Sequence, residues 1–136
     1  MSALLFFIVI VITAILGAGS TYLLALKTNW GGVRSSAFLS LVVGVIFYVV
    51  EGQAHYFTEI PSVFIGASFV GMSAPTQLRL VGVLIAGVIF GLLYFCLPAT
   101  YAGVGGTLGT SACVSVLAVY GCQILLKKND KKKRLI

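Results

Sequence analysis

The residues of this chain best suited to chemistry are two acids and the single histidine, which recur at intervals of four positions as Glu51, His55 and Glu59. On one continuous helix this spacing stacks the three side chains along one face, with Tyr48 about one turn before Glu51. An imidazole between carboxylates titrates near physiological pH and can pass protons, and the carboxylates can attract a cation. The pattern therefore predicts a proton or cation path through Glu51, His55, Glu59 and Tyr48.

Two other interpretations of this cluster stay open. The first is a metal site, which we do not predict, because one ring nitrogen with carboxylate oxygens would discriminate poorly between zinc and harder cations. The second is a solvated helix end at the membrane surface. The depth of Glu51 in the membrane favours it as the functional acid. It lies roughly 22 Å along a helix that starts at Ser36, still within a hydrocarbon core ~30 Å thick. A charge at that depth is costly, so the residue is expected to have a function.

The surroundings of the cluster are those of a membrane protein. Hydrophobic residues make up 60% of the 136-residue chain, charged residues make up 9%, and the mean hydropathy is +1.11. A soluble domain of this size would have too little polar surface to cover itself, and the apolar runs are long enough to cross a bilayer. We predict an all-α, polytopic helical bundle in one transmembrane domain, residues 1–126, surrounded by the lipid bilayer.

The net charge of +6 comes largely from a basic tail, residues 127–136, which directly follows an apolar segment. Such a tail typically anchors a helix to anionic headgroups on the cytoplasmic side of a membrane. We therefore predict a cytoplasmic tail and no nucleic-acid partner.

Five apolar segments are predicted, and prolines mark several of their boundaries. Pro61 closes the second segment, Pro61 and Pro75 bound a short third segment, and Pro98 ends the fourth, because the residue before a proline tends to leave the helical region. The first segment is too long for the apolar part of a signal peptide, so we expect it to be retained. The five ranges are about 3–26, 36–59, 60–76, 79–97 and 102–126.

Basic residues set the expected orientation, because short loops rich in Lys and Arg stay cytoplasmic. If all five segments span the membrane, the loops carrying Lys27, Arg34 and Arg79 lie inside with the tail, and the amino terminus and acidic cluster lie outside. Arg34 and Arg79 are then cytoplasmic anchors at headgroup level. The alternative is a re-entrant third segment with four spans, which would place Lys27 and Arg34 outside. We expect a plasma membrane, the inner membrane of a bacterium.

Part of the sequence repeats. Residues 41–47 match residues 84–90 at five of seven positions, and each copy follows an arginine. Segments two and three would then form one helical hairpin and segments four and five a second one in the same orientation. The alternative is chance similarity between apolar helices, which draw on few residue types.

Small residues recur in three short stretches, one each in the first, third and fifth segments. We call these the small-residue motifs: Gly17-Ala18-Gly19-Ser20, Gly71-Met72-Ser73-Ala74 and Gly109-Thr110-Ser111-Ala112. In membrane bundles, Gly, Ser and Thr usually allow helix backbones to approach closely, so we favour helix packing. The alternative is a constriction in which carbonyl and hydroxyl oxygens face a permeating species. The residues concerned are Gly17, Gly19, Ser20, Gly66, Gly71, Ser73, Gly109, Thr110 and Ser111.

Cys96, Cys113 and Cys122 lie in apolar segments, without the CxxC spacing or neighbouring histidines of a metal site. We expect buried thiols that behave as small hydrophobes. The chain also lacks the sequence motifs of hydrolases, zinc proteases and nucleotide-binding enzymes, and the only histidine lies too far out to activate the motif serines. We predict no enzyme and no cofactor.

Two functions remain. The first is a small transport protein, a channel or carrier for protons, cations or another small solute, which works as a homo-oligomer because five short segments enclose little volume. The alternative is a non-catalytic scaffold or anchoring subunit of a larger membrane complex. A continuous polar path from Glu51 toward Ser73 and Ser111 would favour transport, and an exposed glycine face would favour the scaffold.

Overall fold

The computed structural model of the chain describes residues 3–28, 30–51, 59–73, 76–96 and 105–133. The five helices are α1 (Ala3–Thr28), α2 (Gly32–Glu51), α3 (Glu59–Gly71), α4 (Leu80–Cys96) and α5 (Gly105–Lys133). Every regular element within the described ranges is one of these helices, which confirms the all-α prediction. Helices α1, α2 and α5 are long and apolar enough to cross a membrane, and α3 and α4 are shorter apolar helices.

A glycine turn joins α1 to α2. Gly31 has a φ of 78°, in the left-handed region that glycine adopts without strain. Its carbonyl oxygen accepts hydrogen bonds from the Ser35 amide at 3.2 Å and from the Ser35 hydroxyl at 3.0 Å, so the turn is tied to the first turn of α2. Helix α2 consequently begins at Gly32, before the predicted start at Ser36.

Pro61 does not end a helix, and this corrects the predicted boundary between the second and third segments. Helix α3 begins at Glu59 and includes Pro61 in its first turn. Amides of the first turn have no acceptor within the helix, so the missing N–H of proline costs nothing there. Glu59 therefore starts α3 instead of ending α2, and the positive end of the helix dipole favours its carboxylate.

The end of α3 also differs from the prediction. The helix stops at Gly71, whereas the predicted segment continued to about Thr76. The amides of Met72 and Ser73 bond to carbonyls three residues earlier, at 3.3 and 3.2 Å, and these tighter bonds close the last turn.

Helix α5 is longer than predicted. It begins at Gly105 and continues through the basic tail to Lys133, beyond the expected end at residue 126. Lysine is a good helix former, and no glycine or proline follows Gly121 in the sequence. The first part of the predicted tail is therefore an extension of α5.

Helices α1, α3 and α5 run in one direction, and α2 and α4 run in the opposite one. Contacts between helices near their starts and ends establish these directions. Those contacts are Ser36 with Ser68, Tyr22 with Leu78, Gly17 with Ala67, Gly71 with Thr21, Gly66 with Leu108, and Gly82 with Gln123.

The buried core lies between α1, α3, α4 and α5. Among its largest fully buried side chains are Phe90, Leu78 and Val63. In the part of α2 whose side chains are described, only Ser35 and Ser36 are buried. Helix α2 thus rests on the surface of a bundle made by the other four helices.

The two hairpins of the predicted repeat have different surroundings. A Cβ atom on Gly44 of α2 would have no described heavy atom within 4 Å, whereas one on its counterpart Gly87 of α4 would lie 3.3 Å from the Ala14 carbonyl oxygen. Helix α1 causes this difference, because it packs chiefly on α3 and α4 and has no counterpart in the repeat. The duplication itself stays a prediction.

Candidate functional sites

A tyrosine and an acid form a pair where α3 begins and α4 ends. The Tyr94 hydroxyl donates a hydrogen bond to the Glu59 carboxylate. The Tyr94 side chain is 4% exposed and lies beside Phe90, with ring centroids 6.2 Å apart, whereas Glu59 is exposed. The bond therefore ties an outward-facing acid to the core of the bundle. Sequence analysis missed Tyr94 because its partner lies 35 residues away.

The predicted acid–histidine cluster is only partly described. His55 and the side chain of Glu51 lie outside the described residues, and Tyr48 is 82% exposed on α2. The three ionisable residues do not stack on one helix that continues to Pro61, because Glu59 belongs to α3. Since α2 and α3 are antiparallel, Glu51 at the end of α2 and Glu59 at the start of α3 still belong to the same end of the bundle.

Basic side chains lie at the opposite end. Lys27 is near the end of α1, Arg34 is in the first turn of α2, Arg79 directly precedes α4 and Lys127 is late in α5. All four are exposed. Because the helix directions alternate, these four positions lie at the same end of the bundle. As far as side chains are described, the bundle thus has one basic end and, opposite it, one acidic end. The role of Arg34 and Arg79 as headgroup anchors stays a prediction.

Two of the three small-residue motifs pack against each other. A Cβ atom on Gly17 would lie 2.9 Å from the Cβ of Ala67, and one on Gly71 would lie 2.7 Å from the Cβ of Thr21. The Gly71 position would also collide with the carbonyl oxygen of Ala18. Both glycines therefore let the backbones of α1 and α3 touch and bring Cα–H groups against carbonyl oxygens.

Gly19 and Gly66 also lie at helix contacts. A Cβ atom on Gly19 would be 3.1 Å from a methyl carbon of Leu84, and one on Gly66 would collide with the Phe90 ring. Phe90 is fully buried and fills the notch that Gly66 leaves, so it closes the centre of the bundle between α3 and α4.

The small-residue motif in α5 does not pack against another helix at its glycine. No described heavy atom lies within 4 Å of the position that a Cβ on Gly109 would take, so the helix contact expected there is not formed within the chain. The same holds for three other glycines of this helix. We call this set the open glycines of α5: Gly105, Gly106, Gly109 and Gly121.

The serine and threonine hydroxyl groups of the small-residue motifs donate hydrogen bonds to backbone carbonyl oxygens three or four residues earlier in the chain. Ser20 and Ser73 donate hydrogen bonds to carbonyl oxygens three residues earlier, at 3.3 and 2.8 Å. Thr110 and Ser111 both donate to the carbonyl oxygen of Thr107, at 3.0 and 2.6 Å. These hydroxyls retain acceptor capacity, but within the described residues they do not form a chain from one end of the bundle to the other.

Two cavities open on different faces of α5. The first, of about 320 Å³, lies between the end of α4 and the start of α5, and its lining includes Cys96, Thr107 and Thr110. The second, of about 340 Å³, lies between the end of α3 and the middle of α5. The first belongs to the acidic end of the bundle, and the second extends toward the basic end.

Three serines join α2 to α3, and sequence analysis missed them. The Oγ atom of Ser68 lies 2.7 Å from the Ser36 Oγ and 3.4 Å from the Ser40 Oγ. Ser68 itself donates to the Ile65 carbonyl oxygen at 2.7 Å, so its oxygen accepts from the serines of α2. The spacing of Ser36 and Ser40 by four residues in an apolar helix is the signal that would have identified this contact.

The cysteines are not buried. Cys96, Cys113 and Cys122 are exposed on the outside of the bundle, which corrects the expectation of buried thiols. The outside of a membrane bundle faces lipid, so a small apolar side chain is as stable there as in the core. Within the described residues, no group of three metal-binding side chains occurs.

Comparison of the chain with protein-family models, with curated proteins and with solved structures finds no match.

Proposed function

We propose that this protein is a non-catalytic membrane subunit that assembles with other membrane helices through α5. The supporting observation is the set of open glycines of α5. Lipid tails surround apolar side chains as favourably as another helix does, so burial of apolar surface does not drive helices together in a bilayer. Helices there associate instead by close packing at small residues. The glycines of α1 and α3 already serve contacts within the chain, which leaves those of α5 available to a second copy or to another subunit.

The proposal includes five crossings of the membrane, with the amino terminus outside and the tail in the cytoplasm of a bacterium. Alternating helix directions support five crossings, and the positive-inside rule assigns the basic end to the cytoplasm. Helix α3 rises only about 20 Å and α4 about 25 Å, less than a hydrocarbon core of ~30 Å. A bilayer thins locally around short spans at modest cost.

Gly106→Leu is expected to weaken assembly, and Gly44→Leu is the matched control. For both glycines, no described heavy atom beyond the helix's own backbone lies within 4 Å of an added Cβ, so we expect each leucine to be accepted without a collision at that atom. Overpacking a helix contact costs ~1–3 kcal/mol, which corresponds to a loss of affinity of roughly 5- to 150-fold. Light scattering in mild detergent measures the oligomeric mass. Assembly of the chain with itself is excluded if the wild type is monomeric throughout a concentration series, and assembly through α5 is excluded if Gly106→Leu assembles as the wild type does.

Transport of protons, cations or another small solute by a homo-oligomer is the second candidate function. The observation that favours it is the Tyr94–Glu59 hydrogen bond, which orients an exposed carboxylate at the end of the bundle that also carries Glu51. Because Phe90 closes the centre of the chain, the path would run along α5 between assembled copies. The mostly apolar cavity whose lining includes Thr107 and Thr110 lies on that route.

Glu51→Gln is expected to abolish pH-dependent transport, because an amide cannot exchange the proton that a carboxylate carries. Glu59→Gln is expected to have a milder effect, since Glu59 is exposed and water can substitute for it. A pH-sensitive dye inside liposomes containing the purified protein measures the flux. If Glu51→Gln transports normally across the pH range, transport through the acidic end is excluded and the subunit function stands alone.

A further inference from the structure

The cavity between the end of α3 and the middle of α5 has the form of a lipid site. We call it the α3–α5 groove: a cavity of about 340 Å³ whose lining includes Phe69 and Ser73 at the end of α3 and Gly109 and Leu117 on α5. We propose that this groove binds one anionic phospholipid, with an acyl chain between the helices and the phosphate at the basic end.

The wall of the groove is apolar along most of its length. Phe69 of α3 faces Ala112, Val116 and Leu117 of α5 across the cavity. Gly109 deepens the groove, because no side chain fills the space beside it. The volume falls within the ~300–1,000 Å³ of small-molecule sites, and an apolar channel open to the side of a membrane bundle suits an acyl chain.

The end of the groove nearest α4 is polar, and a basic residue lies two positions beyond it in the sequence. Ser73 and Gln77 are the polar groups of its lining, and the exposed Arg79 follows Gln77 by two residues. Ser73 donates its proton to its own helix, whereas the Gln77 amide and the Arg79 guanidinium are exposed donors. Arginine binds phosphate through two parallel hydrogen bonds, so this end suits a headgroup phosphate.

The start of α4 adds a partial positive charge beside Arg79. Helix α4 begins at Leu80, directly after Arg79, and no acidic residue lies in its first turn. Unpaired amides at a helix start attract anions. An apolar channel thus leads to a polar end with Arg79 two residues beyond Gln77, and this combination favours a phospholipid over a free anion, which has no apolar part, and over a helix, which has no phosphate.

Lipid titration of the purified protein in detergent tests this proposal. Dioleoyl phosphatidylglycerol is expected to bind on the order of tenfold more tightly than dioleoyl phosphatidylcholine, as measured by native mass spectrometry and by the rise in unfolding temperature. Arg79→Gln should remove the difference between the two lipids, and Gly109→Leu should weaken binding of both because leucine fills the groove.

Two matched variants control for charge and for bulk. Lys27→Gln removes the same charge at the same end of the bundle but from α1, which does not line the groove, and Gly44→Leu adds the same bulk on α2. Both should bind phosphatidylglycerol as the wild type does. Glycerol 3-phosphate alone should not raise the unfolding temperature.

Three results would overturn the lipid site. Equal affinity of the wild-type protein for the two lipids removes the headgroup selectivity, whether or not any variant folds. An equal loss in Lys27→Gln and Arg79→Gln indicates diffuse surface charge. Full stabilisation by glycerol 3-phosphate indicates an anion site without an acyl chain. Because Gly106→Leu leaves the groove intact, phosphatidylglycerol binding by that variant separates this proposal from assembly through α5.

Discussion

Replacing Gly71 with leucine is expected to cause the largest loss of stability of any single substitution among the glycines that the structure describes. The first side-chain atom alone would collide with the Ala18 carbonyl oxygen and lie 2.7 Å from the Thr21 Cβ. A backbone carbonyl cannot rotate away as a side chain can, so α1 and α3 must separate. Overpacking costs ~1–3 kcal/mol where side chains can shift, and we expect at least the upper end of that range here.

Thermal unfolding in detergent, followed by circular dichroism, measures the effect. Gly44→Leu is the control, because no described heavy atom lies within 4 Å of that position, and its unfolding temperature should match the wild type. Gly109→Leu should also leave the fold intact, for the same reason. An unchanged unfolding temperature in Gly71→Leu would refute the close contact between α1 and α3.

Chemical labelling from outside the cell is expected to give an all-or-none result for topology. A cysteine at Ser2 or Glu59 should react with an impermeant maleimide, whereas one at Thr76 or Asn129 should not, because the proposed orientation places the basic end in the cytoplasm. The native Cys96, Cys113 and Cys122 must first be replaced, since all three are exposed.

The pattern of labelling separates the two topologies. Reaction at Asn129 together with protection of Ser2 would overturn the orientation. Labelling of a cysteine at Thr28 from outside would instead support a re-entrant third segment with four spans. Permeabilised cells, in which all positions should react, provide the control for accessibility.

The helices of this bundle were predictable because long apolar runs have few alternatives in lipid. Their boundaries were less so, and Pro61 shows why. A proline is equally compatible with the end of one helix and the first turn of the next, and nothing local decides between them. The wrong boundary assigned Glu59 to the second helix, whereas it begins α3. The predicted stack of ionisable residues is therefore divided between two helices.

The side that each residue faces was harder to predict than the helix that contains it. Gly71 and Gly109 occur in similar sequence motifs, yet one touches α1 and the other touches nothing within the chain. In water, polarity separates the outer face of a helix from the inner one, but in lipid both faces are apolar. For the same reason the exposed cysteines could not be distinguished from buried ones, and Tyr94 could not be paired with Glu59.

Helix α2 is held unlike the other four. Its only buried side chains among those described are two serines, and it meets α3 through hydroxyl groups and through a close approach of Gly32 to the Met72 backbone. Hydrogen bonds between helices in a bilayer contribute only about 0.6 kcal/mol on average. Yet α2 is long and apolar enough to remain in the membrane when undocked, since its backbone groups are satisfied within the helix. We therefore expect α2 to undock from the bundle before the other four helices separate, and to dock after them during folding.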